Sequence, residues 1–267
     1  MILCSLIGFL AVLTAAEDPR RQKMCWAHYV GWGFNQTDGY DLAMRSPGSW
    51  MLAPFGDRTL LGKNLQWDSG IFFGARKQIE TALAYGVDGF CVDIVNPNSY
   101  VSGLNRFFRD AEGTPFKVAL CIDRLVYDNA YLLEHLGKFI ATYKDHPNAC
   151  RIDGKMVIFV YLANGRAALK AHRPDGIFAG GIAIGYIGQG SSYYRPFLNS
   201  GTLRHNWEAS IANNVDWVCL TTWNDYIEST QFEPSMINRD NLLRINREYV
   251  SKWRGEPAPQ RTPQVIY

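Results

Sequence analysis

Neither sign of charge is in large excess in this chain. Its 267 residues carry 27 Lys and Arg against 25 Asp and Glu, a formal net charge of +2. That balance argues against a dedicated nucleic-acid binder. No segment repeats at a fixed period or alternates charge along a heptad, which excludes solenoids and coiled coils. After the first residues nothing approaches the roughly 18 consecutive apolar residues of a membrane span. The five histidines lack zinc-ligand spacing, and the six cysteines fit no disulfide framework of a small secreted domain. No metal is therefore expected. There is no Gly-x-Ser-x-Gly elbow. The glycines at Gly180-Gly181 and from Gly185 to Gly190 match neither a dinucleotide fingerprint nor a P-loop, so close backbone packing explains them better.

What is present is apolar and aromatic. Hydrophobic residues make up 47% and aromatics 13%, with 19% charged, enough to bury a large core and to exclude a disordered chain. Ile2 to Val12 is almost wholly apolar, and Leu13-Thr14-Ala15-Ala16 leads into the charged run from Glu17. This reads as a secretory leader over residues 1–16, leaving a single exported domain over 17–267. That is the length of a (β/α)8 barrel. Cys25, Cys91, Cys121, Cys150 and Cys219 then remain, mostly inside apolar runs, where a thiol behaves as a small core residue.

The hydrophobic pattern switches repeatedly between strand and helix periods. Apolar runs near residues 25, 90, 119, 158, 182 and 218 read as buried strands, the fifth spanning Ile177 to Ile187. Helical faces lie between them: Ala75, Ile79, Ala82 and Leu83; Leu104, Phe107 and Phe108; Leu132, Leu136, Phe139, Ile140 and Tyr143; Arg166 to His172; Leu203, Trp207 and Ile211; and finally Leu242, Ile245, Tyr249 and Trp253. Such alternation implies parallel strand–helix units, and the expected fold is an α/β TIM barrel. The count leaves two architectures. Either two further strands lie within 34–70 and 177–200, or the barrel is shortened between strands four and seven.

Ligands of such barrels bind at the C-terminal ends of the strands. The first strand ends in His28, Tyr29 and Gly31-Trp32, the second in Asp93, the third in Asp123 and the fourth in Tyr161. The last runs into Thr222-Trp223-Asn224-Asp225-Tyr226-Ile227-Glu228. Asp88 starts its strand and would serve the opposite rim. Asp225 and Glu228, three apart, share one face of a helical turn. Two carboxyl groups beside aromatic rings are what glycoside hydrolysis needs, one protonated to meet the leaving oxygen and one ionised. The plainer reading of an Asp-x-x-Glu pair is a helix cap. His28, Asp93, Asp123, Tyr161 and His205 are candidate sugar ligands. Each has a packing or capping alternative. Trp32, Trp223 and Tyr226 are candidate platforms for sugar rings.

Thr222-Trp223-Asn224-Asp225-Tyr226-Ile227-Glu228-Ser229 resembles the Trp-Asn-Asp-Tyr-x-Glu-Ser segment of glycoside hydrolase family 71, the α-1,3-glucanases. Glu228 through Pro234 is similar to the matching stretch of family 99, the endo-α-mannosidases. Ala27 to Gly31 and Gly86 to Phe90 resemble the first and second strands of family 71, and Asp145-His146-Pro147 through Gly154-Lys155 resembles the wider clan's approach to strand four. The resemblance implies a TIM barrel, no cofactor, hydrolysis of an α-linked polysaccharide or glycan, and Asp225 and Glu228 as the catalytic carboxylates. The second strand departs from family 71, with Asp93 where Asn is usual.

The function expected is a secreted glycoside hydrolase of the α-1,3-glucan or α-mannan type. Glu228 would be the general acid, with Asp225 as base or acting on a neighbouring sugar hydroxyl, and Asn224 beside them in the substrate site. No nucleic acid and, once the leader is removed, no membrane are expected as partners, and the protein is expected to be a monomer. The alternative is a carbohydrate-binding protein on a decayed barrel, without turnover. A purely structural secreted protein would show scattered rather than convergent carboxylates.

Overall fold

The computed structural model describes residues 22–30, 75–94, 97–123, 129–161, 177, 179–187, 194–226 and 228–260. The expected leader over 1–16, Trp32, residues 34–70 and the helix expected over Arg166 to His172 lie outside them. The elements are β1 (Met24–Val30), α1 (Ala75–Ala84), β2 (Gly89–Ile94), α2 (Pro97–Ala111), β3 (Lys117–Asp123) and α3 (Asn129–Tyr143), followed by β4 (Arg151–Ile152), β5 (Lys155–Met156) and β6 (Ile158–Tyr161). Then come β7 (Ala179–Ala183), β8 (Tyr186–Ile187), β9 (Tyr194–Arg195), α4 (Gly201–Ala212), β10 (Trp217–Thr221) and α5 (Asn241–Arg254).

Six strands form one sheet in the order β6-β3-β2-β1-β10-β7, and every pairing in it is parallel. These are the six strands read from the sequence. The steps β1→β2→β3→β6 and β7→β10 all run the same way along the sheet, as they do around a barrel. Right-handed crossovers stepping one way put all helices on one face, whereas a doubly wound sheet would step both ways. The packing agrees. Cys25, Ala27 and Tyr29 of β1, Phe90 and Val92 of β2, and Val218 and Leu220 of β10 share one cluster with residues of all five helices. Met24, Trp26, Cys91, Ala119, Cys121 and Trp217 form a second cluster on the opposite face, which is helix-free among the described residues. The sheet is an arc of a TIM-barrel-like fold. Its outer strands β6 and β7 are separated by only the chain between Tyr161 and Ala179. Two further strand–helix units at about 30 residues each would not fit there.

Two details were not readable from hydrophobic period. The β4–β5 hairpin, with Arg151 opposite Met156, precedes β6. The run from Ile177 to Ile187 is not one strand: β7 ends at Ala183, and Tyr186-Ile187 pairs antiparallel with Tyr194-Arg195. Gly185 makes the break possible, because a Cβ there would meet the Phe197 ring at 2.5 Å.

At the N-terminal rim, Asp88 accepts a hydrogen bond from the Cys25 N–H at 2.6 Å and pairs with Arg254. Lys23 Nζ donates to the Trp253 carbonyl at 2.5 Å. This ties the end of α5 to the start of β1 and gives Asp88 the structural role its position implies. Gly89 starts β2 where a Cβ would lie 2.6 Å from the Trp26 ring and 2.7 Å from the Lys117 carbonyl oxygen. Gly89→Ala should therefore cost about 1–3 kcal/mol by overpacking, read as a lower urea midpoint at unchanged slope. Among the described residues no helix is long and apolar enough to cross a membrane.

Candidate active site

The C-terminal ends of the central strands converge on the segment that follows β10. Asn224 is buried and bridges to β1: its Oδ1 accepts the Val30 N–H at 2.8 Å, and its Nδ2 donates to the Val30 carbonyl at 3.1 Å. The Trp223 N–H donates to the His28 carbonyl at 2.7 Å. Asn224 thus extends the β1–β10 pairing by one side chain and fixes the loop over the strand ends. Thr222 closes the loop from beneath. Its hydroxyl accepts the Asp225 N–H at 2.9 Å and pairs with the Thr230 hydroxyl at 2.9 Å.

Asp225 is buried, and its Oδ1 accepts the Glu228 N–H at 3.1 Å. That is the capping contact of an Asp-x-x-Glu turn, and it holds both carboxylates on one short segment. The Glu228 carboxylate accepts the Tyr186 hydroxyl at 3.2 Å, while its carbonyl accepts the Ile187 N–H at 3.1 Å. Hairpin β8–β9 therefore lies against Glu228. Burial raises the Glu228 carboxyl above the ordinary carboxylate range, against the opposing pulls of Tyr186 and the His28 charge. The influence of His28 on Glu228 places the strand-end histidine and the loop carboxyl in one electrostatic environment.

His28 Nε2 stands 3.3 Å from Asp93 Oδ2, both groups buried on the helix-free face. Burial opposes a charge on His28, but the Asp93 and Cys121 contacts outweigh it and hold the imidazole protonated well above its usual range. The Cys121 thiol is drawn down to about 7 by its contact with Cys91, against burial and with help from His28. Cys91 Sγ and Cys219 Sγ are 3.7 Å apart beside them.

The remaining sequence candidates divide. Asp123 and Tyr161 close β3 and β6 as register partners at the same sheet end. Tyr29 is not brought to this site: it shares the helix-side face with Ala27, its ring 4.8 Å from Phe107 and 5.3 Å from Phe90. Burial and the Glu233 charge keep its phenol un-ionised. Trp223 is 0% exposed with its ring 4.9 Å from Phe90, and Tyr226 is 1% exposed. Neither ring offers a free face for a sugar. His205 is exposed on α4, whose Leu203 and Trp207 pack into the helix-side core, away from His28. Tyr186 was missed by sequence reasoning. The pairing of Ile187 with Tyr194, which no local signal encodes, is what sets it over Glu228. A cavity of about 360 Å³ lined by Met24, Asp88, Lys117, Arg151 and Trp217 opens at the opposite rim, remote from these groups.

No family model matches the sequence, and no curated protein does. The fold does have solved relatives. It superposes with a TM-score of 0.59 on a GH99 endo-alpha-mannosidase from Bacteroides thetaiotaomicron at 16% identity, covering 69% of this chain and 80% of that one. The complex of such an enzyme from the same organism with BIS-TRIS-propane gives 0.59 at 17% identity, over 68% and 84%. At this identity the likeness establishes a shared TIM-barrel-like architecture, in agreement with the six-strand arc.

Proposed function

We propose that this protein is a glycoside hydrolase acting on an α-linked glycan of the mannan or glucan type. The observation that carries the reading is Glu228: a half-buried carboxyl with a raised pKa, joined through one turn to Asp225 at the C-terminal end of a barrel arc. Its proton goes to the glycosidic oxygen as the bond to the anomeric carbon breaks, so the leaving group departs as an alcohol rather than an alkoxide. Asp225, ionised, takes the proton from water or from a neighbouring sugar hydroxyl that attacks the anomeric carbon. The architecture shared with GH99 endo-alpha-mannosidases supports α-linked substrates, and the apolar run Ile2 to Val12 ahead of Leu13-Thr14-Ala15-Ala16 supports export.

The test is release of reducing ends from α-mannan and α-1,3-glucan by the wild type and by Asp225→Asn and Glu228→Gln. Loss in both variants is the expected result, and unchanged release in both contradicts the assignment. Tyr186→Phe provides a finer check. The lost hydroxyl no longer stabilises ionised Glu228, so its pKa rises further and the alkaline limb of kcat/KM moves to higher pH. A limb that stays put, or moves down, removes Tyr186 from the site.

A second reading, glycan binding without turnover, is favoured by the six-strand arc with its short link between β6 and β7. Sugar-dependent quenching of tryptophan fluorescence with no product over long incubation would select it.

A further inference from the structure

Linear spacing in the chain shows no metal motif, but strand register assembles one. His28 on β1, Asp93 on β2 and Cys121 on β3 belong to neighbouring parallel strands, with Val30 aligned to Asp93 and Asp93 aligned to Cys121. One ligating atom from each of these three buried residues lies within 4.8 Å of the other two. The His28 Nε2 to Asp93 Oδ2 distance is 3.3 Å. A tetrahedral ion with nitrogen and oxygen ligands at about 2.0–2.1 Å has an edge of about 3.3 Å between them. A sulfur ligand at about 2.3 Å lengthens its edges to about 3.5 Å, within reach of a side-chain adjustment from the observed spacing. Cys91, the register partner of His28, places a further thiol beside the group. An imidazole, a carboxylate and a thiolate on rigid strands form a donor set that suits zinc-like ions and not magnesium or calcium.

We propose that His28, Asp93 and Cys121 bind one soft divalent cation of the zinc type inside the barrel arc. The bonds form from lone pairs on the Cys121 thiolate and the neutral His28 imidazole, and any proton these groups carry is released to the buffer. The proposal does not rest on the hydrolytic reading, because none of the three residues is the acid or base proposed there.

The experiment uses the full chain, reduced with a phosphine, and cobalt(II) as the optical probe. The expected result is a near-ultraviolet thiolate-to-cobalt charge-transfer band with visible bands of tetrahedral intensity, saturating at one equivalent and bleached by zinc. Cys121→Ser abolishes the charge-transfer band. Asp93→Asn weakens zinc binding by at least the roughly 10–100-fold that loss of an outer-shell partner costs. Cys150→Ser, outside the cluster, binds cobalt as the wild type does. Absence of a thiolate–cobalt band in the wild type overturns the proposal, whether or not any variant folds. A band undiminished in Cys121→Ser overturns it too. Because the readout is optical, a failure to hydrolyse glycans leaves it unaffected.

Discussion

Glu228→Gln should reduce kcat on an unactivated α-linked glycan by about 10²–10⁴-fold, the range that positioned general acids contribute. The amide keeps the shape of the carboxyl and its contact with the Tyr186 hydroxyl but holds no proton to give. The defect should depend on the leaving group. An aryl glycoside departs as a stable phenolate without protonation, so the variant should lose far less on it than on the glycan. The pH profile should change in parallel. Burial raises the Glu228 pKa, so wild-type activity falls as pH climbs through that raised value and the acid ionises. Glu228→Gln removes that alkaline limb. Equal losses on both substrates, with the limb retained, would assign Glu228 to positioning.

The second large effect is structural. Trp26→Ala should cost about 3–5 kcal/mol, a large part of the roughly 5–15 kcal/mol that holds a typical domain together. Trp26 is 0% exposed on the helix-free face of β1, its ring 5.0 Å from Phe159 of β6 and 5.7 Å from Trp217 of β10. It spans the concave interior from the central strand towards both flanks, beneath the layer that holds His28. Truncation leaves a cavity whose walls are strands and cannot collapse inward. Urea unfolding should show the lower midpoint, and glycan turnover by the folded fraction should fall as the floor under His28 loosens. A cost below about 1 kcal/mol would mean that this face is not a packed interior.

Why some of this was legible in the sequence and some was not follows from the periods involved. The central strands β1, β2, β3 and β10 are largely buried on both faces and appear as continuous apolar runs, whereas β7 at the sheet edge is partly exposed. That made the strands easy to find and their faces impossible to assign. His28 and Tyr29 are adjacent and both buried, yet one enters the concave interior and the other the helix layer. Trp223 has the same ambiguity: its place beside Asn224 and Asp225 marked it as a platform, whereas its ring completes the packing around Phe90. The Asp225–Glu228 turn was legible because it is local, three residues closed by one hydrogen bond. The His28, Asp93 and Cys121 cluster was not, since it exists only through the register of three strands. Cys91 and Cys121 were correctly read as buried and Cys219 is half-buried, while their proximity to a histidine required the fold.

The most direct measurement is product analysis over time with the wild-type protein alone, on matched α-linked and β-linked mannan and glucan oligosaccharides. Shorter oligosaccharides with new reducing ends, accumulating linearly with enzyme and only from an α-linked series, are the predicted result. Saturable binding of those oligosaccharides with every one recovered intact would contradict it.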